Sequence, residues 1–318
     1  MGEGRPGSVA RLTSAVKHAA LALLTRALQR FDFKEVQRHG WHFQRRDYYS
    51  AVNDVAFLEA NRDLWSDGGD PLAIDWNAAR QREVARECYA FAEELRGVPQ
   101  APQDPVAFCW DNAFWNNADA LVQYGLVRAR KPARYFEIGC GWSSLLLARA
   151  LEQNRAGGAP PTRVELIEPH PNPLIFERLP AAWSRRPVPL QRVPLALFDE
   201  LEAGDVLFYD GSHVVRTASD VNWFFFRVLP RLQPGVLVHL HDIFLPADYP
   251  EEWIFERGQT WNEQYLLQAF LMENRSWRIE IANRWLFLRH RAEVEALAKG
   301  VQPSVGCSFW MVKEDPAP

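Results

Sequence analysis

From Lys131 onward, short apolar runs alternate with segments in which apolar residues recur at helical spacing. The apolar runs predict strands in RYFEIG, RVELIEP, VPLQRVP, DVLFYDG, GVLVHLHD, WRIEIANRWLFLRH and VGCSFWMVK. The segments between them predict helices, among them SSLLLARALEQN, SDVNWFFFRVLPRL and WNEQYLLQAFLMEN. This alternation predicts an α/β fold, in which helices cover both faces of a mostly parallel sheet that has an antiparallel strand at its edge.

Residues 1–130 show a different pattern, because helical periodicity dominates and strand-like runs are few. They predict a helical N-terminal cap or oligomerisation region, followed by a catalytic domain over residues 131–318. Segment 9–31 is amphipathic and contains Arg11, Lys17, Arg26 and Arg30 but no acidic residue. Its helix either packs on the body or on another subunit, which would form a homo-oligomer, or lies on a membrane surface.

The bulk composition narrows the class of protein. Apolar residues form 47% of the 318 residues and charged residues 24%, which is ordinary for a globular chain. The formal net charge of -4 argues against a nucleic-acid partner, since such proteins usually carry a basic field. No apolar run reaches the roughly 18–20 residues that would predict a transmembrane segment. The 4 cysteines form no CxxC pair, which favours a reducing, cytoplasmic location over a disulfide framework.

A glycine-containing loop, EIGCGWSS (137–144), follows the first predicted strand. Glycines at a strand-to-helix turn let the backbone approach a ligand and leave helix N–H groups free to bind it. Ser144 stands where the dinucleotide-binding fingerprint requires a third glycine. The next strand ends in Glu168, where a carboxylate can accept hydrogen bonds from ribose hydroxyls.

Acids and histidines follow the fourth and fifth predicted strands. Asp210 and His213 come after DVLFY, whereas His239, His241 and Asp242 lie in or after GVLVHLHD. The carboxyl ends of neighbouring parallel strands meet at one edge, so we expect these side chains to lie close together. The pattern fits a metal site, a proton-transfer site or the solvated ends of two strands. His239, inside its strand, is either part of that site or a core residue.

The loop and the acid after it resemble the S-adenosylmethionine (SAM) site of class I methyltransferases. In that family the glycine loop lies against the methionine portion of the cofactor, and the acid that ends the second strand binds the ribose. The resemblance implies a Rossmann-like methyltransferase sheet. The cofactor-binding residues that it implies are Glu137, Gly139, Cys140 (through its backbone), Gly141, Glu168 and Asp210.

From Lys131 to its end, the chain is also similar to a bacterial group of methyltransferases with DGSH and HDIF blocks, and to metal-dependent macrolide sugar O-methyltransferases. This similarity implies that His213 is the catalytic base and that Asp210 and Asp242 are metal ligands. His241 stands where those enzymes have another acid, so it is a candidate third ligand. A carboxylate set would favour Mg²⁺, and the imidazole favours Mn²⁺, Fe²⁺ or Zn²⁺.

The function implied is O-methylation of a sugar hydroxyl or another small specialised metabolite in natural product biosynthesis. One alternative is a non-catalytic SAM-binding or nucleotide-binding subunit of a biosynthetic assembly. Another is a metal-dependent oxygenase, which the strand pattern favours least because it predicts no β-barrel.

Further polar and aromatic residues are candidates for the pocket. Tyr48, Tyr49, Asn112 and Asp119 either cover the cofactor and substrate or have core and capping roles. Glu263 opens a predicted helix after the fifth strand. It either faces the substrate or interacts with the helix dipole.

Overall fold

The computed structural model describes residues 8–42, 46–65, 69–102 and 107–315, with side chains described from Val16 onward. The chain forms two compact units, Met1–Asp54 and Val55–Pro318. Within the described ranges, no helix has the length and apolar character that crossing a bilayer requires.

The first unit contains the predicted basic helix, α1 (Ser8–Leu28), and a short second helix, α2 (Phe33–Arg38). Asp32 caps α2 through a reciprocal capping box with Glu35. Among the described side chains of α1, Val16, Leu21 and Leu23 are exposed. The side chains of residues 9–15 lie outside the described part, and the oligomerisation role of this helix stays a prediction.

The described residues contain eleven α-helices, and the chain also makes several short 3-10 turns. The helices are α1 (Ser8–Leu28), α2 (Phe33–Arg38), α3 (Val55–Ala60), α4 (Ala78–Tyr89), α5 (Asn117–Arg130), α6 (Trp142–Ala156), α7 (Pro173–Arg178), α8 (Asp220–Trp223), α9 (Glu251–Phe255), α10 (Glu263–Leu271) and α11 (Asn283–Ala298).

Seven strands form one sheet in the order β3-β2-β1-β4-β5-β7-β6. Their bounds are β1 (Arg134–Ile138), β2 (Arg163–Ile167), β3 (Ser184–Arg186), β4 (Val206–Tyr209), β5 (Leu237–Leu240), β6 (Trp277–Ala282) and β7 (Phe309–Lys313). β1 to β5 pair in parallel, whereas β7 runs antiparallel to both β5 and β6. The sheet confirms the predicted α/β Rossmann-like fold. The antiparallel strand β7 is not the edge strand of the sheet, because β6 pairs with its outer side.

Two predicted strands differ from the structure. Segment WRIEIANRWLFLRH is a strand only to Ala282, and α11 begins at Asn283. A continuous apolar run such as WLFL fits a buried strand and a buried helix equally well, so periodicity could not separate the two. Segment VPLQRVP (188–194) contains a 3-10 turn, and the third strand lies just before it at Ser184–Arg186.

The strand order reverses between β1 and β4, which creates the crevice that positions the site. The chain moves outward from β1 through β2 to β3, then returns to place β4 on the other side of β1. Open parallel sheets bind ligands at this switch point, outside the carboxyl ends of the strands. The glycine loop follows β1 and Asp210 follows β4, so both lie at the crevice.

Helices α4 and α5 share the main hydrophobic core with the sheet. Gly125 of α5 lies directly against α4, since a Cβ added there would be 2.3 Å from the Cys88 carbonyl oxygen. The helical region that precedes the sheet is therefore continuous with it from residue 78 onward. The predicted division at residue 130 into cap and catalytic domain stays a prediction.

We expect Gly125→Ala to destabilise the protein by about 1–3 kcal/mol, because the added methyl group would force apart two backbones in contact. Helix propensity alone would predict the opposite change in stability, because alanine is favoured over glycine inside a helix. Urea unfolding would measure the change. Gly97→Ala is the control, since nothing lies within 4 Å of its added Cβ. Equal stabilities of the Gly125 variant and the wild type would contradict the close contact.

Candidate functional site

The glycine loop is built against the end of β4. Gly139 has φ of +83°, and a Cβ added there would lie 1.9 Å from the Asp210 carbonyl oxygen. Its N–H donates to the Ile167 carbonyl at 3.0 Å, which ties the loop to β2 as well. At Gly141, by contrast, nothing lies within 4 Å of an added Cβ. The backbone is therefore tightly packed at Gly139 and open at Gly141.

Two carboxylates support this loop. Glu168, at the end of β2, accepts hydrogen bonds from the Cys140 N–H at 3.3 Å and the His170 N–H at 2.7 Å. Glu137 is fully buried and accepts a hydrogen bond from the Ser143 hydroxyl at the start of α6. Burial raises the pKa of Glu137 to about 8, against the opposing effect of its serine partners. Glu137 is therefore mostly protonated at neutral pH.

His213 lies at the centre of the second half of the crevice. Its Nδ1 is 2.9 Å from Glu263 Oε2, and its Nε2 is 3.2 Å from Asp210 Oδ1 and 3.6 Å from Asp242 Oδ2. Its ring also packs on Trp261, with 4.2 Å between ring centroids. These contacts fix the orientation of the imidazole, so that Nδ1 faces Glu263 and Nε2 faces the two aspartates.

The carboxylates also determine the charge of His213. Burial by itself would lower its pKa, but hydrogen bonds with Asp210 and Glu263 outweigh burial and raise the pKa to about 10. The ring is therefore a cation at neutral pH for as long as these carboxylates keep their full negative charge.

His241 lies between two groups of acids. Its Nδ1 is 3.5 Å from Asp210 Oδ2 and 3.7 Å from Asp242 Oδ2. On the other side of the ring, Nε2 is 3.8 Å from Asp119 Oδ2 and 3.7 Å from Cys307 Sγ. Burial would lower the pKa of His241, but the surrounding negative charges, first that of Asp242, raise it well above its usual value.

Asp119 is a buried acid on the far side of the His241 ring. Its Oδ1 accepts hydrogen bonds from the Cys307 N–H at 2.9 Å, the Ser308 N–H at 2.6 Å and the Asn283 amide at 2.8 Å. Burial would raise the pKa of Asp119, but His241 and these donors lower it to about 2. The carboxylate is therefore ionised and held in one orientation.

His239 lies away from this cluster, inside the core. It is fully buried, stacks on Phe208 with 3.9 Å between ring centroids, and its Nε2 is 3.1 Å from the Ser308 hydroxyl. Burial lowers its pKa well below the usual value, so the ring is neutral. These contacts support the core interpretation of His239.

The sequence-predicted site residues fall into two groups that meet at Asp210. One group forms or supports the glycine loop: Glu137, Gly139, Cys140, Gly141 and Glu168. The other belongs to the acid–histidine cluster, in which Asp210, His213, His241 and Asp242 lie together with Asp119, Glu263 and Cys307. Their roles in catalysis, cofactor binding and metal binding stay predictions.

Of the four pocket-cover candidates, the structure places only Asp119 in the cluster. The Asn112 side chain bonds the backbone at Cys109 and Trp115, which is a turn-stabilising role. Tyr48 and Tyr49 are exposed residues of the first unit.

Sequence reasoning missed two contributions to the cluster. The contact between Glu263 and His213 joins residues 50 positions apart. Cys307 gave no signal at all, since it belongs to no cysteine motif and reaches the site only because β7 pairs with β5.

Comparison with known proteins agrees with this architecture. A family model described as a methyltransferase domain matches residues 136–243, which contain the glycine loop and most of the acid–histidine cluster. This match supports the prediction of a SAM-dependent methyltransferase. It is to a general methyltransferase domain and not to the DGSH/HDIF or macrolide sugar subgroup.

Two further proteins are similar to the chain at low identity. An uncharacterised protein of Archaeoglobus fulgidus is 27% identical over 138 residues, which are 41% of this chain and 59% of that protein. The crystal structure of the plantazolicin methyltransferase BpumL, solved with a pentazolic desmethylPZN analog and SAH, superposes with a TM-score of 0.39 at 11% identity. That superposition covers 76% of this chain and 100% of BpumL.

Glu137 should make stability depend on pH. Its folded-state pKa of about 8 exceeds the ordinary value of 4.5, so the folded state binds more protons than the unfolded state between these values. The free energy of unfolding therefore falls as pH rises from 4.5 to about 8, by up to about 1.4 kcal/mol per pH unit for this one group. Glu137→Gln mimics the protonated form, so urea unfolding should show it gaining stability relative to the wild type as pH rises. Exposed Glu152→Gln is the control, and a constant difference between the Glu137 variant and the wild type would contradict the buried, protonated acid.

Proposed function

We propose that the protein is a SAM-dependent methyltransferase that transfers a methyl group to a hydroxyl oxygen of a sugar or another small specialised metabolite. One observation carries the proposal. The glycine loop touches the backbone of Asp210, and the carboxylate of the same residue contacts His213. The cofactor loop and the candidate proton acceptor are therefore joined through one residue.

The loop residues fit the cofactor. The backbone is open at Gly141, where a ligand can approach without meeting a side chain. Glu168 offers a carboxylate at the end of β2, where ribose hydroxyls would donate to it. When bound, SAM supplies a methyl group on a positively charged sulfur.

The charge of the site favours positively charged ligands. Asp119, Asp210, Asp242 and Glu263 surround only two imidazoles. If all four acids are ionised, the cluster remains negative even when both rings are protonated. A sulfonium group or a divalent cation would stabilise such a cluster.

The donor atoms also fit a divalent cation. Ligand atoms of Asp210, His241 and Asp242 lie within 4.8 Å of one another. One imidazole with two carboxylates suits Mn²⁺, Fe²⁺ or Zn²⁺ better than Mg²⁺. A cation at these residues would lower the pKa of an acceptor hydroxyl.

His213 is the proposed general base and Glu263 its positioning residue. Glu263 holds Nδ1, which leaves Nε2 directed at the space beside Asp210 and Asp242. A sulfonium group or a divalent cation close to Asp210 and Asp242 would offset the negative charge that keeps the His213 ring protonated. The pKa of His213 then falls, and Nε2 can accept the proton of the acceptor hydroxyl.

We expect His213→Ala to keep SAM affinity and to reduce turnover about a hundredfold or more, as loss of a general base does. Calorimetric titration with S-adenosylhomocysteine would measure binding, and methyl transfer to a panel of glycosides and hydroxylated metabolites would measure turnover. His290→Ala on α11, outside the cluster, is the control. A fully active His213 variant would exclude this residue as the base. Cofactor binding by the wild type without turnover on any acceptor would favour the non-catalytic subunit instead.

We expect Glu263→Gln to lower the maximal turnover, because His213 becomes a weaker base, and to move the acidic limb of the pH–rate profile to lower pH. Glu263 raises the pKa of His213, so removing its charge lets the ring lose its proton at lower pH. The glutamine oxygen can still accept from Nδ1, whereas Glu263→Ala removes this partner and should reduce turnover further. An unshifted profile in the glutamine variant would mean that Glu263 has only a packing role.

A further inference from the structure

A second group of metal-binding donors lies on the other side of the His241 ring. Its members are Asp119 Oδ2, His241 Nε2 and Cys307 Sγ, which come from α5, the end of β5 and the segment before β7. Asp119 and His241 are buried, and Cys307 is partly buried. We propose that these three side chains bind Zn²⁺, at a site separate from the carboxylates of Asp210 and Asp242 that face His213.

The separations between the three donor atoms match a tetrahedral zinc site. Sγ is 3.5 Å from Asp119 Oδ2 and 3.7 Å from His241 Nε2, and the oxygen and nitrogen are 3.8 Å apart. Tetrahedral Zn²⁺ with ordinary bond lengths requires about 3.5 Å between S and O, about 3.6 Å between S and N, and about 3.4 Å between O and N. The two separations that involve Sγ agree closely with these values. The separation between the oxygen and the nitrogen would have to shorten by a few tenths of an ångström.

Asp119 is preorganised to offer one ligand atom. Three donors occupy Oδ1, whereas Oδ2 faces His241 and accepts from the Cys307 N–H at 3.0 Å and the Cys307 thiol at 3.5 Å. Gly306 permits this arrangement, since a Cβ added there would be 2.4 Å from Asp119 Oδ1. The segment 306–308 thus lies against the carboxylate closely enough to place Cys307 beside it.

Two carboxylates lie on the side of His241 where zinc-binding histidines usually make their second contact. Such residues donate their other ring N–H to a carboxylate, which fixes the ring and makes the ligating nitrogen more basic. With Nε2 on the cation, Nδ1–H points towards Asp210 Oδ2 at 3.5 Å and Asp242 Oδ2 at 3.7 Å. A neutral imidazole offers one lone pair, so His241 serves either this site or the carboxylate site at any one time.

Cys307 determines which cation is bound. A thiolate beside an imidazole favours Zn²⁺ over Mg²⁺, which prefers oxygen ligands. Asp242 Oδ1 lies 3.2 Å from Sγ, so this carboxylate borders the zinc site while its Oδ2 faces His213. The site also accounts for a histidine at position 241. This ring would serve the zinc, while Asp210 and Asp242 remain as carboxylates facing His213.

The test uses the full chain and does not depend on the methyl-transfer reaction. The protein is depleted of metal with a chelator and titrated with Zn²⁺ or Co²⁺. We expect one strongly bound Zn²⁺ per chain, and a Co²⁺ form with a thiolate-to-metal charge-transfer band in the near ultraviolet. Cys307→Ser should remove this band and weaken Zn²⁺ binding by at least about a hundredfold, more than the loss of an outer contact costs.

Two variants separate zinc ligation from a general loss of structure. Cys109→Ser changes a buried cysteine outside the cluster and should keep the charge-transfer band. Asp119→Asn keeps the acceptor atom Oδ1 but replaces the ligand atom Oδ2, so it should weaken Zn²⁺ while circular dichroism stays that of the wild type. Co²⁺ binding without the charge-transfer band, or unchanged Zn²⁺ affinity in Cys307→Ser, would overturn the proposal. The Co²⁺ spectrum and the Zn²⁺ affinity test only this metal site, whereas cofactor titration and turnover test the proposed function.

Discussion

The pairing of buried and half-buried carboxylates with two buried imidazoles is the constraint on which the site depends. An ion taken out of water costs several kcal/mol unless a partner of opposite charge lies close by. Here the acids come from separate parts of the chain: Asp119 from α5, Asp210 from the end of β4, Asp242 from the end of β5 and Glu263 from the start of α10. These elements must converge correctly, or charges would remain buried without partners.

The sheet brings most of them together. β4 and β5 are parallel neighbours in register, so Asp210 and Asp242 leave the sheet at the same edge. Both have a histidine close to them in sequence, and His213 and Asp242 adopt left-handed φ angles of 58° and 54°. Such angles are uncommon for residues other than glycine, although Asp and His adopt them more often than most, and both residues lie in the turns that follow the strands.

Patterns within single elements were enough to predict the sheet, the glycine loop and the proximity of Asp210 to Asp242. They were not enough for contacts that depend on where a later element packs. Glu263 opens a helix whose position over His213 is set by tertiary packing, and Cys307 carries no local motif. The prediction for segment WRIEIANRWLFLRH was wrong for a different reason, because an unbroken apolar run such as WLFL does not show whether it follows the strand or the helix period.

The position of β7 between β5 and β6 determines when the acid–histidine cluster is completed. β7 is the last strand in chain order, yet it occupies an interior position and its pairing places Cys307 beside Asp119. During synthesis, β5 and β6 would emerge first, each with an edge that has no partner until residues 309–313 arrive. Long-range pairings of this kind form slowly because the chain must first close large loops. The cluster therefore stays incomplete until this pairing forms, because Cys307 lies beside Asp119 only when β7 pairs with β5.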